Sequence, residues 1–362
     1  MKIGILTFHY GYNFGGVLQA YATQQVLKEL GYKEVYVINC IAQPFKFKTV
    51  GIPRRITKNL FSILYLRFWK GRLTRKAFRL FRKQYLNETP VVNYKNIAEA
   101  TKDFDAIIVG SDQVWNTESQ KHGLYFLNWK PQFNGKRISY APCCGRNIIV
   151  ESNRNELIDA LRKFSSLSVR NVETQSFVKS LTGKLAPIVP DPTCLYDFKE
   201  LLSKARMIKE PYIFTYTLGK DIQGGNAAAI DILQKKYPGR KVIASVIAYA
   251  NPVDTSWADE VKYDLSPIEW LNMIQYADVV YTDSFHGTIF SMKLNTPFVT
   301  FISEPSRMAR FIQLQEQFGV QRYIVSSLTE LLETNPEKRD YNMVFAKMSN
   351  IGRNYLKDSL TN

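Results

Sequence analysis

The sequence predicts an α/β protein built as two halves with parallel sheets. Short β-branched runs alternate with helical stretches along the 362 residues, the pattern of βαβ units. The alternation restarts near Lys209-Glu210-Pro211, which sets a boundary at about residue 205 and gives domains 1–205 and 206–362. Polar, Gly-bearing turns follow several strand runs directly. In parallel α/β sheets, those carboxyl ends are where ligands gather, here in a cleft between the halves.

In the first half, strand runs fall at 2–8, 34–39, 105–109, 137–140, 167–169 and 186–189. In the second they fall at 212–217, 241–247, 278–282, 298–301 and 323–325. Helical stretches lie between them at 17–30, 155–164, 174–182, 225–236, 267–276 and 307–318. A helical insertion is expected over 41–100 in the first half. A last helical segment spans 341–360, and the sequence leaves open whether it packs back on the first domain.

A hydrophobic content of 45% supports a sizeable core. The four cysteines, Cys40, Cys143, Cys144 and Cys194, show no C-x-x-C spacing, so a zinc or redox motif is not expected. The N-terminal stretch lacks the apolar region and cleavage site of a signal peptide. No apolar run approaches the ~18 residues of a membrane span. A cytoplasmic location is expected.

The net charge of +16 sits in one place. Residues 35–87 contain no Asp or Glu, and 46–83 carry 13 Lys and Arg. Elsewhere 35 basic residues face 32 acidic ones. Phe61, Leu64, Phe68, Trp69, Phe78 and Phe81 interleave with the charges. Such a segment suits peripheral contact with the anionic inner face of a membrane; it also reads as a solvated basic helical face. No nucleic-acid-binding motif accompanies it, and none is expected to bind there.

Five segments can carry chemistry. After the first strand comes His9-Tyr10-Gly11-Tyr12-Asn13-Phe14-Gly15-Gly16. Asn13, Gly15 and Gly16 would let a ligand approach the backbone at a helix start, although glycines also simply make turns. After 105–109 comes a cluster with Ser111, Asp112, Gln113, Trp115 and Asn116. These can hydrogen-bond and stack on a sugar, or form a capped turn with Trp115 in the core. Arg170 ends the run 167–169 and can grip a carboxylate or phosphate, or pair with Glu173. Arg307, after 298–301, is a similar candidate. Asp191, in Pro190-Asp191-Pro192-Thr193, either orients a site residue or only initiates a turn.

The most informative turn is Asp283-Ser284-Phe285-His286-Gly287-Thr288. It sets His286 where a strand meets a helix, beside N–H groups that favour an anion. Histidine moves protons near neutral pH. The alternative is a packed, hydrogen-bonded histidine at a helix start.

Taken in order, Asn-Phe-Gly-Gly at 13–16, Gly-Ser-Asp-Gln-Val-Trp-Asn at 110–116, Ser-Val-Arg at 168–170, Asp-Pro-Thr at 191–193 and Thr-Asp-Ser-Phe-His-Gly-Thr at 282–288 resemble the polysaccharide pyruvyl transferase family. The resemblance runs from the first strand to about Leu360 and departs at Pro142-Cys143-Cys144-Gly145 and at Asn171. It implies two Rossmann-like domains facing a cleft, similar to GT-B glycosyltransferases. It implies transfer of pyruvate from phosphoenolpyruvate to two hydroxyls of a sugar, as a cyclic ketal with release of phosphate. In the family an Arg and a His are the functional pair, matched here by Arg170 and His286. Asp283, Ser284, Gly287 and Thr288 would complete a phosphate cradle. The acceptor expected is a hexose such as galactose on a polyprenyl diphosphate, for a capsular or exopolysaccharide repeat. No cofactor or metal is expected beyond phosphoenolpyruvate itself as co-substrate. The competing reading is a GT-B glycosyltransferase using a nucleotide sugar.

Overall fold

The computed structural model of the chain describes residues 1–40, 71–116, 123–145, 154–203, 205–218, 221–247, 254–303 and 305–361. Part of the expected insertion, 41–70, lies outside the described residues, as does the Arg307 side chain. The described residues form two compact units, one drawn from within 1–46, 82–197 and 345–362, the other from within 47–81 and 198–344.

The first unit contains strands β1 (Lys2–Leu6) and β2 (Glu34–Val37), with helix α1 (Phe14–Glu29) between them. Helix α2 (Gly71–Tyr85) follows, and the division between units passes through it. Helix α3 (Ile97–Thr101), strands β3 (Ala106–Val109) and β4 (Lys136–Ser139), and helices α4 (Arg154–Arg162) and α5 (Val172–Thr182) complete the run. The four strands are all parallel, in the order β2-β1-β3-β4. Strand β3, Ala-Ile-Ile-Val, is buried at every position, as a parallel sheet covered on both faces requires.

The runs expected as strands at 167–169 and 186–189 are reduced to single bridges, Ile138 with Ser166 and Val169 with Ile188. At 167–169 the physical reason is a serine pair. Ser139 Oγ donates to the Ser168 carbonyl at 2.8 Å, and Ser168 Oγ donates to the Ser139 carbonyl at 2.8 Å. Side chains replace ladder bonds there, an option small hydroxyl residues offer the backbone.

The second unit contains β5 (Tyr212–Tyr216), α6 (Asn226–Lys236), β6 (Lys241–Ser245), β7 (Glu260–Lys262), α7 (Pro267–Gln275) and β8 (Val279–Thr282). Helix α8 (Phe285–Lys293), β9 (Phe298–Phe301), α9 (Pro305–Phe318), β10 (Ile324–Val325) and α10 (Leu328–Glu333) follow. Its six strands are parallel in the order β10-β9-β8-β5-β6-β7. Strand β7, Glu-Val-Lys, is half-buried throughout; so short and polar an edge strand carries no apolar run to betray it.

Helix α11 (Asn342–Thr361) crosses from one unit's sequence to the other's. From Phe345 on it packs in the first unit, where Tyr355 donates to the Ser139 carbonyl at 2.9 Å and Lys136 donates to the Leu360 carbonyl at 2.9 Å. All four cysteines are buried free thiols. Burial pushes Cys40 and Cys144 up to about 11, so neither is a thiolate near neutral pH.

Candidate active site

In the first unit, the polar turns meet in one buried network. Gln19, on α1 and fully buried, is its centre. Its amide nitrogen donates to Thr7 Oγ1 at 2.7 Å and to the Gly16 carbonyl at 2.9 Å. Its amide oxygen accepts the Ser111 backbone N–H at 3.1 Å. Ser111 Oγ lies 3.0 Å from Asp191 Oδ2 and 2.8 Å from the Ala141 carbonyl. Arg170 Nη1 donates to the same Asp191 Oδ2 at 3.1 Å. The chain Thr7, Gln19, Ser111, Asp191, Arg170 therefore links the turn after β1, the turn after β3 and the segment beyond β4.

Asp191 bonds both its own turn and Arg170. Its Oδ1 accepts the Thr193 N–H at 3.0 Å and the Thr193 hydroxyl at 2.7 Å, which shapes the turn. Its Oδ2 fixes Arg170, whose side chain is 7% exposed against 0% for Asp191. Burial works to lower the Arg170 guanidinium, but Cys143, Asp191 and Asp112 outweigh it and hold it raised. Arg170 is a permanent cation held in a fixed pose.

Trp115 is a core residue, not a stacking platform. It is fully buried, its indole N–H donates to the Tyr125 carbonyl at 2.9 Å, and it stacks on Phe126 at 5.4 Å. Ser111 is also fully buried, while Asp112, Gln113 and Asn116 are half-buried. Asp112 stands at φ 72° and receives the Cys143 N–H on its carbonyl at 2.8 Å. Gly110 makes this turn possible: a Cβ there would lie 2.2 Å from the Tyr140 carbonyl oxygen.

Gly15 and Gly16 are not loop residues. Helix α1 starts at Phe14, three residues before the expected start, because exposed Asn13 caps it by accepting the Gly16 N–H at 3.2 Å. Asn171, a departure from the family pattern, is likewise the cap of α5, accepting the Thr174 N–H at 3.2 Å.

Helix α11 reaches this network from behind. Ser349 and Arg353 both donate to the Leu195 carbonyl at 3.1 Å, one turn past Asp191. Tyr140 donates to the Pro190 carbonyl at 2.9 Å. A Cβ on Gly352 would come within 2.3 Å of the Tyr140 hydroxyl and 2.7 Å of a Leu195 methyl. Gly352→Ala is therefore expected to cost about 1–3 kcal/mol through overpacking. The urea midpoint checks this; an unchanged midpoint would mean that Tyr140 and Leu195 yield freely.

In the second unit, the candidate residue is His286, 6% exposed, in the first turn of α8 directly after β8. Ser284 caps the helix by accepting the Gly287 N–H at 3.2 Å. Thr282, the last residue of β8, donates to the Tyr216 carbonyl at 2.6 Å and accepts the Ser284 N–H at 3.1 Å. Gly287 allows this: a Cβ would lie 2.6 Å from Thr282 Oγ1. Asp283 accepts the Leu218 N–H at 2.7 Å, which binds the end of β5 to the end of β8.

Thr288, expected in the cradle, is instead structural. It is fully buried, and its hydroxyl lies 3.0 Å from the Ser284 carbonyl and 2.6 Å from Thr300 Oγ1. The Ser284 hydroxyl and the Gly287 N–H serve the cap. These groups fix the turn that presents the His286 imidazole, which packs edge-on against Phe285 at 5.4 Å. Of the residues the sequence did not single out, Gln19 and Thr7 matter most. A buried Gln in an apolar helix is their only sequence signal.

Two units with wholly parallel sheets and polar turns at strand carboxyl ends define a GT-B-like protein. A putative UDP-N-acetylglucosamine 2-epimerase from Listeria monocytogenes matches with a TM-score of 0.56 at 12% identity, covering 98% of this chain and 94% of that one. The UDP-GlcNAc 2-epimerase of Methanocaldococcus jannaschii matches at 0.54 and 11%, with full coverage of both chains. The Neisseria meningitidis enzyme bound to UDP-GlcNAc matches at 0.53 and 10%, again over both full chains. At such identities the likeness is one of fold. No curated protein matches the sequence. The sequence model of the polysaccharide pyruvyl transferase family matches residues 13–305. The chain belongs to that family, and it is a transferase of polysaccharide biosynthesis.

Proposed function

We propose that this protein transfers pyruvate from phosphoenolpyruvate to two hydroxyls of one sugar, forming a cyclic ketal. The observation that carries the reading is the family match across 13–305, which includes the β8–α8 turn with its rigidly mounted histidine.

The chemistry asks for few groups. Protonation of the phosphoenolpyruvate methylene makes C3 a methyl and C2 electrophilic. A sugar hydroxyl adds at C2 and loses its proton. The C2–O bond to phosphate then breaks, and phosphate leaves. A second hydroxyl adds to C2, loses its proton and closes the ketal. His286 is the proton carrier, as acid toward C3 or base toward the attacking hydroxyl, a role worth about 10²–10⁴-fold. Arg170 grips a carboxylate or phosphate of the substrate and offsets charge in the transition state. The first-turn N–H groups of α8 favour the phosphate. The acceptor we favour is a hexose on a polyprenyl diphosphate.

Two measurements test this. Phosphoenolpyruvate with lipid-linked galactose, mannose and glucosamine acceptors should release phosphate and leave a heavier acceptor in the mass spectrum. Phosphoenolpyruvate alone should raise the melting temperature, a hundredfold excess over Kd contributing about 2.7 kcal/mol. Protection by a nucleotide sugar and not by phosphoenolpyruvate would replace this reading with a glycosyltransferase.

A further inference from the structure

We infer that the outward face of helix α2 docks the protein on an anionic lipid bilayer. The helix reads Gly-Arg-Leu-Thr-Arg-Lys-Ala-Phe-Arg-Leu-Phe-Arg-Lys-Gln-Tyr and holds no acidic residue. Its buried positions, Gly71, Thr74, Phe78 and Phe81, recur every three or four residues and form one side. Thr74 anchors that side within the second unit by donating its hydroxyl to the Tyr263 carbonyl.

At 100° per residue, Arg72, Leu73, Lys76, Arg79, Leu80 and Lys83 occupy a single arc of about 120° on the opposite side. All six are exposed, Leu73 at 41% and Leu80 at 50%. Arg72, Lys76, Arg79 and Lys83 make no ion pair among the described residues. By contrast Arg82, off this arc, is engaged inside the first unit: its Nε lies 3.3 Å from Glu88, and its guanidinium stacks on Tyr10 at 4.3 Å.

Charge complementarity names the occupant class, and the leucines narrow it. Four cations in a row without a carboxylate attract a dense anionic surface. Two large aliphatic side chains among them gain nothing against a polyanion such as RNA, but enter the headgroup boundary of a bilayer. The face stands on residues of α2 alone and does not depend on the transferase chemistry.

The test is vesicle flotation of the full-length protein. Phosphatidylcholine vesicles with about one part in three phosphatidylglycerol should carry the protein, and pure phosphatidylcholine vesicles should not. Each of the four cations contributes roughly fivefold to partition near such a surface. Replacing all four by Glu should therefore lower partition by more than about a hundredfold, and added salt should weaken the wild type. Leu73→Ser with Leu80→Ser should weaken binding while leaving its salt dependence in place. Because these side chains are exposed, the variants keep the fold, which circular dichroism verifies. Equal partition to both vesicles, no flotation of the wild type, undiminished flotation of the Glu variant, or salt-sensitive retention on RNA without flotation each overturns the inference.

Discussion

Replacing His286 by Gln is expected to lower phosphate release from phosphoenolpyruvate by about 10²–10⁴-fold, with the fold intact. Groups other than the imidazole bond across the turn. Ser284 caps the helix, Thr282 holds the end of β8, and Gly287 lets the two approach. Gln retains polarity and much of the volume but cannot carry a proton between steps. The change should therefore fall on kcat more than on the binding of phosphoenolpyruvate, which thermal protection reads separately. If the Gln variant melts like the wild type and still turns over at near-wild-type rate, His286 is a packing residue and the proton comes from elsewhere.

Arg170→Lys is expected to cost a comparable factor, because Lys keeps the charge but loses the planar fork that grips a carboxylate or phosphate. Arg170→Ala is the harsher change and confounds two effects. It leaves the Asp191 carboxylate buried at 0% exposure without its cation, a loss of about 3–5 kcal/mol. The Lys variant separates chemistry from stability: it should unfold within reach of the wild-type urea midpoint while activity collapses. A fully active Lys variant would show that Arg170 serves the fold only. Asp191→Asn gives the complementary reading. It removes charge from the pair while Thr193 and Ser111 keep hydrogen-bonding partners, so a drop in activity with a modest stability change would mark Asp191 as the group that poses Arg170.

Much of the scaffold was legible along the chain, because buried parallel strands write themselves as apolar runs. The run 298–301 coincides with β9, Phe298–Phe301, and 267–276 differs from α7 by its last residue. Helix starts were less legible where a cap decided them. Asn13 pulled Phe14, Gly15 and Gly16 into α1, and nothing in the glycines themselves announces that. The run 167–169 failed to extend beside β4 because Ser139 and Ser168 bond across, a pairing between residues 29 apart in sequence.

At the candidate site the division is similar. Arg170 and His286 stood out because their residue types, at the ends of apolar runs, suit anion binding and proton transfer. Trp115 stood out as an aromatic able to stack on a sugar and proved to be core, since an aromatic beside polar residues reads alike whether it faces a sugar or Phe126.

The sequence alone determined the α/β class, the family, the concentration of positive charge in one segment and the turns that hold Arg170 and His286, because each is a local pattern of residue types. Only the tertiary structure decided that Asp191 is the partner of Arg170, that Gln19 ties the turns after β1 and β3 together, that α11 braces the Asp191 turn and that four cations of α2 share one exposed face with two leucines. Burial and hydrogen bonding between residues far apart in the chain depend on which surfaces the fold brings together, and no local pattern specifies that.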